Sequence, residues 1–289
     1  MSIRWETGQM SSVLPQSMRQ EGLLPPPEEL GPTVLVGAGA VGSCFLRAAA
    51  HLLPNFTVFD SDTVKLENVE TGMFSLADYG KTKVMAASWI LMRSGVRYPQ
   101  VNAYGANAGE RTGRDVVCGF DGRAFRRLII CTDNMQSRRD IYRGVVRAWA
   151  SVWQDCEGDL DNLYSEPLRY VIDARVGLRQ AQVYVVQRDE ILDQFARLIP
   201  KYRTAGAAKA ALQRWVRREF SLDGEGINEP CGASMSPATA MIAAGMIVHT
   251  IGELEYGYDV PRLRIVGFQS ESQAEGFYVS RAGDAARVA

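Results

Sequence analysis

TVLVGAGAVG, residues 33–42, is an apolar run that ends in three spaced glycines, Gly37, Gly39 and Gly42. An alanine-rich stretch follows, so the pattern predicts a strand, a tight turn and a helix that begins near residue 41. In this spacing the first glycine permits the turn, the second lets a phosphate approach the backbone, and the third allows close packing of helix and strand. The N–H groups at the helix start would then favour a bound phosphate.

A second apolar run, residues 56–59, ends in Asp60. A carboxylate about 20 residues after the glycines is placed where ribose hydroxyls are usually held. A glycine motif alone also occurs in purely structural turns. The acid after the second strand makes nucleotide binding the favoured interpretation.

The composition is that of a soluble protein with a substantial core, with 289 residues, 46% of them hydrophobic and 22% charged. The net charge of −1 gives no general attraction to nucleic acid or to an anionic membrane. No apolar run reaches the length of a membrane span, and the first residues lack the apolar core of a signal peptide. We therefore expect a cytoplasmic protein with no nucleic-acid or membrane partner.

The cysteines and histidines do not suggest a metal centre. The five cysteines are scattered and form no C-x-x-C pair: Cys44, Cys118, Cys131, Cys156 and Cys231. This spacing argues against a disulfide framework and a structural zinc site, so no zinc is expected. His51 and His249 lie in helix-like apolar stretches, where core or solvated histidines are commoner than metal ligands.

Two further segments carry candidate ligands. A helical run opens at residues 79–83, and a lysine there is unusual against the helix dipole, so Lys83 either meets a nucleotide phosphate or, like Lys81, is solvated. Residues 127–131 predict a buried strand that ends in Thr132-Asp133-Asn134. At the carboxyl end of a parallel strand, Asp133 either holds Mg²⁺ or caps the next helix.

The remaining pattern predicts the fold class and the domain organisation. Further strands are predicted near 99–104, 169–174, 181–186 and 262–268, and helices over 137–149 and 238–254. Together they predict an α/β fold with a Rossmann-like, doubly wound, mostly parallel sheet. Residues 1–32 are interpreted as a proline-rich arm or a loose tail, and 33–289 as one domain. Within that domain, about 189–225 is helical and basic, which predicts an inserted helical segment with a solvated face or a partner surface.

Taken together, these landmarks resemble the ubiquitin-activating superfamily, the ThiF/MoeB/HesA adenylyltransferases, from about residue 33 to 277. The signature blocks are the three glycines, Asp60-Ser61-Asp62-Thr63-Val64 with Asn68, Gly80-Lys81-Thr82-Lys83, and Cys131-Thr132-Asp133-Asn134 with Ser137-Arg138. Their order and joint spacing make the resemblance specific, although each block alone is not.

The resemblance implies an enzyme that binds ATP and Mg²⁺ and adenylates the C-terminal carboxylate of a ubiquitin-like or sulfur-carrier protein, with release of pyrophosphate. Asp60 would hold the ribose, Asn68 and Lys83 would contact the triphosphate, and Asp133 would position Mg²⁺ and the reacting carboxylate. Asp62, Thr132 and Asn134 complete the candidate nucleotide contacts. The resemblance also implies a homodimer and a possible conjugating-enzyme partner.

The region of Cys231 is similar to the compact class of these enzymes, in which the adenylation domain itself carries the thioester cysteine just before a helix. A helix N-terminus favours a thiolate, so Cys231 is the preferred nucleophile over a buried structural thiol. Cys156 is the second candidate, although its acidic neighbours Asp155 and Glu157 disfavour a thiolate.

One departure from the family pattern bears on catalysis. Family members usually carry an arginine three residues after the asparagine, and Thr71 occupies that place here. The missing charge could come from an arginine elsewhere, such as Arg47, Arg4 or Arg19.

Three other interpretations remain open at this stage. A degenerate, non-catalytic member would scaffold a ubiquitin-like protein or a conjugating partner. The first sixty residues alone would also fit a dinucleotide dehydrogenase, although no hydride-transfer histidine or Tyr–Lys pair stands out later. Some relatives adenylate a peptide, and this substrate class is compatible with the sequence.

Overall fold

The computed structural model describes residues 24–25, 29–53, 55–96, 100–119, 124–156, 168–177, 180–222, 236–267 and 278–281. The predicted arm therefore lies almost entirely outside the described residues, as does Cys231. The domain limits of the sequence analysis stay predictions.

A single sheet of eight strands forms the centre of the molecule, in the order β3-β2-β1-β4-β5-β6-β7-β8. The strands are β1 (Thr33–Val36), β2 (Asn55–Phe59), β3 (Gln100–Tyr104), β4 (Arg127–Ile130), β5 (Tyr170–Val176), β6 (Gln180–Gln187), β7 (Leu263–Gly267) and β8 (Tyr278–Arg281). Strands β1 to β5 pair parallel with one another, whereas the β5–β6, β6–β7 and β7–β8 pairs are antiparallel. The predicted doubly wound, mostly parallel α/β sheet is confirmed.

Helices cover both faces of the sheet. They are α1 (Ala40–Ala49), α2 (Leu66–Thr71), α3 (Lys83–Arg93), α4 (Glu110–Cys118), α5 (Met135–Asp155), α6 (Arg188–Leu198), α7 (Ala205–Glu219) and α8 (Pro237–Glu255), with short 3-10 turns at Leu76–Asp78 and Ile199–Lys201. Polar side chains cap several of the helix starts. Thr82, Asn134, Thr204 and Ser236 each accept a hydrogen bond from a backbone N–H in the first turn.

Alternate residues of each strand enter two separate hydrophobic cores. Leu35 and Ile129 pack with α1, α3 and α8, whereas Val34 and Leu128 pack with α4, α5, α6 and α7. This alternation follows from the period of two in a strand. The chain order places the ends of β1 and β4 side by side at the point where the strand order reverses. That reversal is where open α/β sheets form their ligand crevice.

Helix α8 corrects one expectation from the sequence. Its 19 residues meet the length and hydropathy criteria for a membrane span, so an apolar run of that length does exist. The helix packs against α1, β5 and β6, and it buries residues such as Ala240, Ala244 and Ile247. Packing against α1, β5 and β6 accounts for its apolar composition.

The C-terminal end of α8 is held by a buried charge network. Glu255 Oε2 lies 2.7 Å from Arg126 Nε, and its Oε1 lies 3.0 Å from an Arg127 guanidinium nitrogen. The hydroxyl of Tyr170 donates to Glu255 Oε1 at 2.6 Å, and burial raises the pKa of Tyr170, so the phenol stays protonated. This carboxylate thus links α8 to both β4 and β5.

We expect Glu255→Ala to lower the free energy of unfolding by about 3 kcal/mol, because it leaves two cations near the core without their counter-charge. The matched control is Glu253→Ala in the same helix, whose pairs with His249 and Arg264 are partly exposed. We expect that control to cost about 1 kcal/mol or less. Urea unfolding of both variants checks this, and equal losses would contradict the role given to Glu255.

Candidate active site

A cleft of about 400 Å³ opens at the carboxyl ends of the parallel strands. Its walls come from the loops after β1, β2 and β4, from α2, and from the last residues of β5. The volume lies in the range of small-molecule sites, and the position is the one expected for a doubly wound sheet. The three glycines of the first motif lie at or beside this cleft.

The glycines have different structural reasons to be glycine. Gly37 adopts φ +89°, and a side chain there would lie 2.7 Å from the backbone of Cys131 and Thr132. A side chain on Gly42 would overlap the carbonyl oxygen of Gly37. Gly39, in contrast, has no atom within 4 Å of the place where a Cβ would stand, and it lines the cleft. No neighbouring atom would clash with a side chain at residue 39. Glycine at this position instead keeps the start of α1 open to an approaching ligand.

The start of α1 is a suitable place for an anion. Gly39 is the N-cap residue, and no side chain caps this helix. Ala40 and Val41 line the cleft beside it. Uncapped N–H groups and the positive end of the helix dipole favour a phosphate at such a terminus.

Asp60 ties the glycine loop to the end of β2. Its Oδ2 accepts from the Ala38 N–H at 2.7 Å, and its Oδ1 accepts from the Asp62 N–H at 2.8 Å. Burial raises the pKa of Asp60, although the nearby Lys83 and the two backbone N–H groups oppose that shift. A carboxylate held ionised against its burial is typical of a functional site.

Lys83 reaches the same place from α3. Its Nζ lies 2.9 Å from Asp62 Oδ2 and 4.0 Å from Asp60 Oδ2, and its side chain is only 10% exposed. The backbone before α3 is also hydrogen-bonded to the segment after β2. The N–H of Val64 donates to the Lys81 carbonyl, and the N–H of Lys83 donates to the Asp62 carbonyl. Gly80, at φ +76°, makes the turn that this pairing requires. The solvated alternative fits exposed Lys81, which lies 3.9 Å from the Trp89 ring, but not Lys83.

Helix α2 presents Asn68 and Thr71 to the cleft. Asn68 Oδ1 accepts from the Lys65 N–H at 3.0 Å, so its NH₂ group is the part that remains to donate to a ligand. The Thr71 hydroxyl donates to the Glu67 carbonyl at 2.6 Å. Thr71 therefore supplies no charge, and its hydroxyl donates within the helix rather than to a ligand.

The loop after β4 decides between the two roles that the sequence left open for Asp133. Asn134 caps α5, because its Oδ1 accepts from the N–H groups of Gln136 and Ser137 at 2.8 and 3.2 Å. Asp133 is exposed and lines the cleft, and within the described ranges its carboxylate makes no hydrogen bond or ion pair. Thr132 accepts from the Asn134 N–H at 3.4 Å. The helix-cap interpretation of Asp133 is therefore wrong, and Asn134 performs that role.

A buried charge cluster on the cleft wall was not anticipated from the sequence. Asp173 in β5 contacts two guanidinium groups, those of Arg138 and Arg175. Arg138 also donates to the carbonyls of Thr132 and Ala174, and Arg175 stacks on the Tyr184 ring at 4.0 Å. Only Arg138 lay within a signature block, and nothing in the sequence linked it to Asp173.

The cysteines of the described residues are poor nucleophiles for this cleft. Cys131 lines it, but burial raises the pKa of its thiol to about 12, so the group stays protonated at neutral pH. Cys156 lies at the far end of α5 from Asn134, which for a 21-residue helix is about 30 Å away. The preferred candidate, Cys231, falls outside the described residues.

Of the replacement arginines suggested by the sequence, only Arg47 can be placed, and it does not line the cleft. Arg47 is exposed on α1 and is not among the cleft-lining residues, and Arg4 and Arg19 lie outside the described residues. The lining does contain Lys65, at the start of α2, to which the sequence analysis gave no role. The clue in the sequence was the position of Lys65 between Asn68 and the acidic loop, residues 60–62.

The cleft offers oxygen ligands for Mg²⁺, although its described residues do not form a complete set of protein ligands. Among the described residues no group of three or more His, Cys, Asp or Glu side chains is close enough to hold a metal ion. Mg²⁺ commonly uses only one or two carboxylates together with water and substrate phosphates. The unengaged carboxylate of Asp133 fits that requirement.

We expect Gly39→Ala to keep the fold and to weaken ATP binding about tenfold, because its methyl group would stand in the open approach to α1. Gly42→Ala is the matched variant in the same motif. Its methyl group meets the Gly37 carbonyl, so we expect a loss of about 3 kcal/mol of stability. Calorimetric ATP titration and thermal unfolding separate the two effects. If Gly39→Ala bound ATP as the parent does, the open approach would not serve a phosphate.

Comparison with known proteins gives the same fold. No curated protein sequence matches significantly. Among solved structures, PaaA superposes with a TM-score of 0.54 at 15% identity, covering 91% of this chain and 74% of PaaA. MccB of E. coli crystallised with ATP gives a TM-score of 0.56 at 14% identity, covering 88% of this chain and 65% of MccB. MccB with MccA-N7isoASN gives 0.57 at 15% identity, covering 91% and 66%.

At these identities the structural similarities show the fold alone, and the chain spans about two thirds of the length of MccB. The family is decided by a separate comparison. The model of the ThiF family matches residues 32–267, well over half of the 289 residues. The chain therefore belongs to the ThiF family.

Proposed function

We propose that this chain transfers AMP from ATP to a carboxylate of a protein or peptide substrate. One observation carries the proposal: the uncapped start of α1, Asn68, Lys83 and Asp133 come from four separate segments and line one cleft. Membership of the ThiF family supports ATP-dependent adenylation of a substrate carboxylate. The similarity to MccB, which was crystallised with ATP, supports ATP as the nucleotide.

The reaction would place two anions in contact. A carboxylate oxygen of the substrate attacks the α-phosphorus of ATP and forms a new O–P bond. The bond from that phosphorus to the oxygen bridging to the β-phosphate breaks, and pyrophosphate leaves with the electron pair. An ionised carboxylate needs no general base, and the described lining of the cleft contains no histidine or tyrosine. This lining also fits adenylation better than the hydride transfer of a dehydrogenase.

The residues of this chain would lower the barrier by positioning and charge. The N–H groups at the start of α1 hold phosphate oxygens, the Asn68 amide donates to the triphosphate, and Lys83 offsets its negative charge. Asp60 would hold the ribose. Asp133 would bind Mg²⁺, which when bound neutralises phosphate charge and orients the phosphates.

For the substrate we propose the C-terminal carboxylate of a ubiquitin-like or sulfur-carrier protein. A peptide is the second candidate, because MccB has been crystallised with MccA and superposes on most of this chain. Thioester formation on Cys231, a homodimer and a conjugating-enzyme partner remain predictions from the resemblance. The non-catalytic alternative rests on Thr71, and the unengaged Asp133 carboxylate is more readily explained by catalysis.

We expect ATP–pyrophosphate exchange that depends on the carboxylate substrate, and we expect Asp133→Ala to reduce its rate about 100-fold or more. Small β-grasp proteins and short peptides serve as candidate substrates, each tested with a free and with an amidated C-terminus. Asp140→Ala is the matched control, because Asp140 lies on α5 and pairs with Arg143 away from the cleft lining. Thermal unfolding shows whether both variants stay folded.

Exchange that persists in Asp133→Ala, or that does not require a free carboxylate, would rule out the proposed chemistry. ATP binding with no exchange for any substrate would instead favour the scaffolding role. Mass spectrometry of the reaction mixture detects a thioester, and Cys231→Ser and Cys156→Ser show which cysteine carries it.

A further inference from the structure

The side chains that line the cleft carry no net charge before any ligand enters. Its described lining contains four acids, Asp60, Asp62, Glu67 and Asp133, and four bases, Lys65, Lys83, Arg138 and Arg175. A triphosphate adds several negative charges at once. It therefore needs a cation whose N–H groups are not already committed to the protein.

Three of the four bases are already committed. Lys83 is buried against Asp62 and Asp60. Arg138 and Arg175 share Asp173, and they also donate to backbone carbonyls of Ala174 and Phe220. These groups can orient a ligand, but moving them toward it would take positive charge away from the buried carboxylates of Asp60 and Asp173, which is costly.

Lys65 is the remaining base of this lining, and its head group is accessible. The side chain is 66% exposed, and its ammonium lies 3.8 Å from Glu67 Oε1, whose side chain is itself 53% exposed. An exposed pair at that distance is weak, so a phosphate can replace it readily. Among the described residues, this ammonium has no closer acidic partner.

The backbone of Lys65 is fixed relative to Asn68. Its N–H donates to Asn68 Oδ1, and its carbonyl accepts from the Asn68 N–H, both at 3.0 Å. The flexible four-carbon arm therefore starts from a defined point beside the amide that faces the cleft. The same short helix carries Glu67 and Glu70, and Thr71 has no charge. Lys65 is the positive charge closest in sequence to this wall.

We propose that Lys65 binds the pyrophosphate portion of ATP and supplies the cation that Thr71 does not. This inference rests on the proposed function, because it presumes that ATP is the ligand of the cleft. On binding, the ammonium exchanges Glu67 for phosphate oxygens beside the Asn68 amide. Glu67 thus competes with the ligand for Lys65.

The test compares ATP and AMP binding by calorimetry at fixed ionic strength. We expect Lys65→Ala to weaken ATP about tenfold and to leave AMP unchanged within about twofold, because AMP lacks the pyrophosphate that Lys65 contacts. Lys65→Arg should retain ATP binding. Lys81→Ala is the matched control, because Lys81 is an exposed lysine that does not line the cleft, and we expect no change for either nucleotide.

A second variant distinguishes direct contact from a general effect of charge. Glu67→Gln should tighten ATP about twofold to threefold in the parent chain but not in Lys65→Ala, because its effect acts through Lys65. An equal gain in both backgrounds would overturn the inference, as would equal losses of ATP and AMP in Lys65→Ala. A parent chain that binds ATP while Lys65→Ala behaves identically would refute the role of Lys65 alone. A parent chain that binds no ATP would refute the proposed function itself.

Discussion

The carboxylate of Asp60 is the contact on which the geometry of the cleft depends. It joins the glycine loop through Ala38, the acidic loop through Asp62, and α3 through Lys83. The first of these segments follows β1, the second follows β2, and the third is a helix. Burial raises the pKa of Asp60, so keeping it ionised costs stability, which its three partners only partly offset. A purely structural turn would not need a charge in that position.

Most of the sheet could be predicted because its strands carry a strong apolar signal. Strands β1, β2, β4, β5 and β6 are almost fully buried, and residues of this kind form short, recognisable runs. Helix α4 was missed because its contact with α5 depends on glycine rather than on large side chains. A Cβ on Gly113 would overlap the Ile141 carbonyl, and one on Gly144 would overlap that of Glu110. Helix α4 is also short and mostly polar, and Gly113 lowers its helix propensity, so its signal in the sequence is weak.

The candidate site also contains some residues that could be located from the sequence and some contacts that could not. Gly39, Asp60, Lys83 and Asp133 could be located in advance because each follows a strand or opens a helix at one edge of the sheet, whereas Asn68 was placed by the resemblance alone. The cap of α5 was assigned one residue too early, as a possible role of Asp133, because Asp133 and Asn134 can both cap a helix and only the backbone geometry separates them. The pairing of Arg138 with Asp173 joins residues 35 positions apart, and it depends on the register between β4 and β5. Such long-range charge pairs have no local sequence signal.

Charge balance also explains why a divalent cation is expected in this cleft. Four acids and four bases leave no net charge to attract a triphosphate. The Lys65 ammonium can leave Glu67 and pair with a phosphate instead. The Glu67 carboxylate is then unpaired, so the net charge of the lining is unchanged. The accessible oxygens of Asp62 and Asp133 would then repel the ligand, unless positive charge from solution lies between them and the phosphates. We therefore expect the acidic residues of the lining to hinder binding of free ATP and to favour binding of ATP with Mg²⁺.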